Sequence, residues 1–153
     1  MAFNIKSTLE AVQSHILSSG YAREIVSIGE PKQPPQGGDS SFRFAIFMDS
    51  SEVVETTLAQ SIEKVTVTIR IYLNMLAEPV DRIELQMAEV VSELGSTLMG
   101  DFSLGDTVRS IDFGQYGGGF AATWGYGDLG GTMFRIADFT LPLIVDDSAT
   151  LAP

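Results

Sequence analysis

The chain reads as an α+β fold: a single, mainly antiparallel sheet of four to five strands with two helices packed on one face, in the order α-β-β-β-α-β-β. Three observations predict this. Residues 64–73 alternate Val65, Val67, Ile69, Ile71 and Leu73 with Lys64, Thr66, Thr68, Arg70 and Tyr72, the period-two pattern of a half-buried strand. Residues 80–98 place Val80, Ile83, Met87, Val90, Leu94 and Leu98 at three- and four-residue spacing, an apolar stripe about 100° wide on a helix. Strand-forming runs stand on both sides of that helix, and no linker or internal repeat divides the 153 residues. One domain, 1–153, with a core of its own is expected.

The elements follow in order. Ile5, Leu9, Val12 and Ile16 share one helical face, Ser7-x-x-Glu10 has the form of a capping box, and Gly20 is a natural stop. A short strand is expected around 24–28. Residues 29–41 carry Pro31, Pro34, Pro35 and Gly37-Gly38, the composition of a protruding loop. Phe42, Phe44, Ile46 and Met48 mark a strand at 42–48, and the acidic run 49–63 is expected to link it to the next strand as a loop or broad turn. Pro79 opens the second helix, where its missing N–H does no harm, and Gly100 ends it. Residues 107–113 and 132–145 read as strands. Pro142 inside the last one predicts an edge position or a bulge.

Composition narrows the class. The apolar fraction of 44% argues against disorder, and no run approaches the ~20 apolar residues of a membrane helix, so no membrane partner is expected. The first ten residues lack the organisation of a signal peptide, which predicts synthesis in the cytoplasm. Without cysteine there is no disulfide framework and no thiolate metal site. Twenty acids against nine bases give a net charge of −11, with twelve of the acids in residues 49–112. A chain so poor in clustered Lys and Arg does not grip phosphates. The excess suits solubility.

Residues 114–131, GQYGGGFAATWGYGDLGG, hold eight glycines with Tyr116, Phe120, Trp124 and Tyr126. They read as a second protruding loop, a long hairpin whose glycines permit tight turns and whose aromatics offer contact area. The stretch contains a literal G-x-G-x-x-G, Gly125 to Gly130. A dinucleotide site needs a helix opening on those glycines. Strand formers and Pro142 follow instead, so the match is incidental. A kinase-type glycine hairpin has no V-A-I-K, H-R-D or D-F-G partner. His15, the single histidine, stands beside the apolar stripe of the first helix and is expected to satisfy a local hydrogen bond rather than to serve as a base. Asp146-Asp147 and the pair Glu89 and Glu93 read as solvated carboxylates. No catalytic, cofactor or metal site is expected, and the chain is not read as an enzyme. A small-molecule-binding α+β domain using the glycine loop is the rival from another class.

The run Trp124-Gly125-Tyr126-Gly127-Asp128-Leu129-Gly130-Gly131-Thr132, continuing to Asp147, resembles the end of tail terminator (tail completion) proteins of long-tailed bacteriophages. In those chains a glycine-aromatic hairpin leads into a strand that closes on apolar residues and an acidic pair. The element order and length agree over most of the chain; the local likeness covers about its last 24 residues before the C-terminal tail. The resemblance implies a homohexameric ring in the virion, at the head-proximal end of the tail. Such a ring caps the tube of major tail protein, ends its growth and offers a surface to a neck or head completion protein. Genome DNA passes through its hole without specific binding. A neck or head–tail joining adaptor is the alternative within the class. The resemblance matches no contact residue one by one and implies no catalytic residue; the composition of the two loops makes Tyr116, Phe120, Trp124, Tyr126, Asp128, Pro34 and Pro35 the candidate assembly contacts.

Overall fold

The computed structural model describes residues 4–18, 27–29, 42–76 and 79–148. In chain order the elements are α1 (Ile5–Ser18), β1 (Ser27–Ile28), β2 (Arg43–Thr56), β3 (Gln60–Asn74), α2 (Val80–Met99), β4 (Ser110–Ile111), β5 (Ala121–Leu129) and β6 (Thr132–Ser148). The sheet runs β1-β2-β3-β6, with β4 and β5 both beyond β6. Only the β1–β2 pair is parallel. The α+β class and the mainly antiparallel sheet agree with the sequence. A sixth strand, β5, adds to the expected order.

Side-chain period explains the layers. Val65, Val67, Ile69, Ile71 and Leu73 of β3 are buried in one cluster with Phe44 and Ile46 of β2 and with Phe139, Leu141 and Leu143 of β6. Leu9, Val12 and Ile16 of α1 and Ile83, Met87, Val90, Leu94 and Leu98 of α2 complete the same cluster. Each of these side chains contributes about 1.5–3 kcal/mol by leaving water. The opposite, far face is not simply solvated: Thr66, Thr68 and Tyr72 are buried too. A second cluster of Ala45, Tyr72 and Phe134 covers part of it, with the Tyr72 and Phe134 rings edge to face at 6.2 Å. The half-buried pattern of 64–73 thus belongs to a strand covered on both sides.

Several boundaries differ from expectation, each for a physical reason. Asn4, not Ser7, caps α1: its Oδ1 accepts the Ser7 N–H at 3.2 Å, the third helical position that an N-cap side chain reaches. The run 49–63 is not a loop. β2 and β3 continue through it as an exposed arm, paired from Ser50↔Thr66 to Thr56↔Ser61. At 107–113 only Ser110–Ile111 pairs as strand. Gly100 follows α2 in right-handed conformation (φ −74°), so it ends the helix without the left-handed turn usual for glycine.

Pro142 lies inside an interior strand. β3 pairs with β6 along its length, including Thr66↔Pro142. The Pro142 carbonyl accepts the Asp112 N–H on the opposite side. In a strand, N and C=O of one residue point the same way. Its missing N–H therefore faces Asp112, just past the end of β4 and before β5 begins, and the β3–β6 ladder loses no bond.

Candidate assembly surface

The first part of the glycine-aromatic stretch is tied down. Asp112 is buried on the far face, and its carboxylate accepts backbone N–H groups from Gly114 (3.0 Å), Tyr116 (3.1 Å) and Gly118 (3.1 Å). Lys64 reaches over β6 to within 3.3 Å of Asp112 Oδ2. The same ammonium donates to the carbonyls of Tyr116 (3.0 Å) and Gly118 (2.8 Å). Burial pushes the Asp112 carboxyl up, but the N–H groups of Tyr116 and Gly114, then Lys64 and Gly118, outweigh it and hold the group below its ordinary value. Gly117, Gly118 and Gly119 all have positive φ, which lets the backbone curl around one carboxylate. Tyr116 then extends to Glu55 on β2, donating its hydroxyl at 3.0 Å. That hydrogen bond raises the phenol above its ordinary range. Residues 112–118 form a strap across β6, β3 and β2.

The next aromatic turns inward. Phe120 is edge to face with Phe139 at 5.0 Å and with Phe113 at 5.3 Å, packed against the core. Beyond it the chain becomes β5, and a two-residue turn, Gly130-Gly131, joins β5 to β6. Both turn glycines have positive φ (62° and 85°), as a tight hairpin of matching twist requires. Asp128 Oδ1 accepts the Gly131 N–H at 2.9 Å and braces that turn.

Trp124 and Tyr126 pair with Ala137 and Arg135 and so project on the helix side of the sheet, at 45% and 59% exposure. Arg135 lies over the Tyr126 ring at 4.3 Å and is held there by Glu84 of α2 at 2.6 Å. This fixes one face of Tyr126 and leaves the other to solvent. Farther along the same flank, Met99, Phe102 and Phe113 are each more than half exposed around an open hollow of about 530 Å³. On the far face Gly125 and Gly127 line a smaller hollow of about 360 Å³ with Arg70 and Asp138. Those two form a two-pronged ion pair at 2.7 and 3.0 Å that raises the Arg70 pKa further.

The structure therefore divides the candidate contacts. Trp124 and Tyr126 share one exposed flank. Tyr116 belongs to the strap, Phe120 to the edge of the core, and Asp128 to the turn. Pro34 and Pro35, with most of the 29–41 loop, lie outside the described residues. The G-x-G-x-x-G runs through β5 into its turn. His15 bonds Asp101 Oδ2 at 2.7 Å, a partner distant in sequence rather than a local one. Sequence reasoning missed Lys64, Glu55 and Asp112; the Asp112-x-Gly114 spacing is the signal, since an aspartate caps the N–H two residues on. Among the described residues no three His, Cys, Asp or Glu side chains are grouped to hold a metal ion, and no helix is long and apolar enough to cross a membrane.

No protein-family model matches the chain, and neither does any curated protein. Among solved structures it is similar to the sheath/tube terminator, in the extended state, of a PVC extracellular contractile injection system. The identity is 12% and the TM-score 0.45, over 98% of this chain and 61% of that one. The chain thus spans less than two thirds of that protein, and the likeness is coarse.

Proposed function

We propose that the protein is a structural component of a phage tail, a terminator that forms a ring on the finished tube and carries no enzymatic activity. The observation that carries this reading is the placement of the segment resembling tail terminators. Residues 124–147 fall on the β5–β6 hairpin, whose outer strand turns Trp124 and Tyr126 to solvent. Exposed aromatic rings on a braced strand supply contact area at small entropic cost. A ring also needs unlike patches that meet head to tail. The aromatic flank of β5 and the β2–β3 arm at the other side of the sheet offer two.

The ring, six-membered by the resemblance, caps the tube protein, ends its polymerisation and presents its other side to a neck or head completion protein. DNA passes through the opening. Asp49, Glu52 and Glu55 are exposed on the arm, and with the other acids of 49–112 they are proposed to line the lumen, where like charge keeps DNA from adhering.

Removing the gene from its phage tests the role: tubes of uncontrolled length are expected, restored to uniform length by the added protein. Tubes of normal length without it would sink the proposal. Gold labelling at the portal side instead of the tube end would favour a joining adaptor. A cryo-EM ring with those acids on its outer rim would remove the lumen assignment alone.

A further inference from the structure

The outer edge of β5 is long and unguarded. Met75 N–H donates to the Met133 carbonyl on the β3 side of β6, whereas the Pro142 and Ile144 carbonyls accept from the β4 side. Alternation along β6 then turns its even-numbered residues toward β5. Their partners Thr123, Gly125 and Gly127 spend their backbone groups on β6. Ala122, Trp124, Tyr126 and Asp128 present theirs outward, with no strand opposite among the described residues. Natural edges are blunted by lysine, proline, inward charge or bulges. The open stretch of β2 has register shifts at Met48/Ser50 and Val53/Glu55 and carries Asp49, Glu52 and Glu55. β5 has no register shift, no lysine and no proline.

We propose that the free protein pairs with a second copy of itself, β5 against β5, in a twofold antiparallel dimer centred on Gly125. The occupant is chosen by register. Centring on Gly125 overlaps the whole of Ala121–Leu129 and matches outward-facing residues with outward-facing residues. Trp124 of each copy exchanges backbone hydrogen bonds with the partner's Tyr126, and Ala122 with the partner's Asp128. The aromatic pairs then lie side by side across the dyad on the helix side, the cross-strand arrangement that stabilises sheets. On the far face Thr123 meets the partner's Gly127, where there is no bulk to obstruct it. The dimer does not rest on the terminator reading. In a ring that uses this flank, the pair opens before assembly, so the dimer shields an adhesive edge until then.

The chain has no cysteine, which permits a clean test on the full-length protein. A Cβ at Gly125 would meet nothing within 4 Å. At the dyad, two copies of residue 125 form a non-hydrogen-bonded pair with Cα atoms about 4.5 Å apart, within disulfide range. Gly125→Cys should cross-link into dimers under mild oxidation. Ala121→Cys should not, because its dyad mates stand roughly 26 Å apart along the strand. Light scattering of the unmodified protein at micromolar concentration should give twice the 16.5 kDa of one chain. Trp124→Lys should return it to one chain with unchanged circular dichroism. Higher salt should strengthen the dimer by screening two copies of charge −11. A monomer at every concentration, or equal cross-linking of the two cysteine variants, overturns the inference. Tube-length control is measured separately and is unaffected by either result.

Discussion

Lys64 and Asp112 meet at 3.3 Å over the far face of β6, with the backbone of residues 114–118 wrapped around the pair. Asp112 is 1% exposed, so its carboxylate is stable as an anion because three backbone N–H groups of that wrap and the Lys64 ammonium point at it. One contact therefore joins β3, the glycine strap and, through Tyr116 and Glu55, the β2–β3 arm.

Asp112→Asn is expected to destabilise the fold by about 3–5 kcal/mol, the range for breaking a buried pair from one side. The amide also sets an N–H₂ against N–H donors. Urea denaturation at neutral pH measures it. A loss below about 1 kcal/mol, the level of an exposed pair, would show the strap to be incidental.

The pH dependence has a definite sign. Asp112 and Asp101 both have folded pKa values below the ordinary 3.8. For Asp101 the first cause is the His15 hydrogen bond, followed by the Gly105 N–H. A depressed carboxylate contributes stability above its unfolded pKa and loses it as pH falls through the folded one. Both contributions should be nearly complete at pH 5 and lost progressively from about pH 4 downward, as pH falls through the depressed folded values. Asp112→Asn should flatten that acid limb in a thermal melt series; an unchanged limb would assign it to other groups.

The aromatics should separate by role. Trp124→Ala and Tyr126→Ala should change folding stability by about 1 kcal/mol or less, as partly exposed side chains, while abolishing tube-length control. Phe120→Ala should cost about 3 kcal/mol or more, because its ring packs edge to face on Phe139 and Phe113. Equal destabilisation by all three would place Trp124 and Tyr126 in the core.

Ile69→Asp and Val90→Asp should prevent folding, since the side chains are 0% and 2% exposed and an unpaired buried charge exceeds the whole stability of a small domain. Circular dichroism of the purified variants decides it. A native spectrum would refute the core assignment.

Gly100→Ala and Gly130→Ala make a contrasting pair. Gly100 has φ −74° and room for a Cβ at 3.4 Å from the nearest atom, so alanine should be neutral or stabilising by up to about 1 kcal/mol. Gly130 has φ 62° in the hairpin turn, and alanine there should destabilise by roughly 1 kcal/mol. Thermal melts that rank the two in reverse would contradict the turn geometry.

The α+β class, both helices and the strands around 42–48, 64–73 and 132–145 were legible because each writes its period into consecutive residues. β5 was hidden because Gly125 and Gly127 interrupt its alternation, so a strand reads as loop. The β2–β3 arm was hidden for another reason. Its residues 49–53 and 55–60 are exposed, so no burial pattern marks them and backbone pairing alone makes them strand. The Asn4 cap was missed because Ser7-x-x-Glu10 offers the more familiar signature three residues too late.

By itself, the sequence determined the α+β class, both helices and the strongly periodic strands, and pointed to one glycine-aromatic stretch as a candidate contact surface. Tertiary structure decided what each residue there does. It sent Tyr116 into a strap around Asp112 and Lys64, Phe120 onto Phe139, and Trp124 and Tyr126 to the surface. Helix and strand periods are local properties of a chain, whereas exposure is set by residues distant in sequence. Only Lys64, Glu55 and Phe139, brought in from other strands, could separate the aromatics that hold this domain together from those it offers outward.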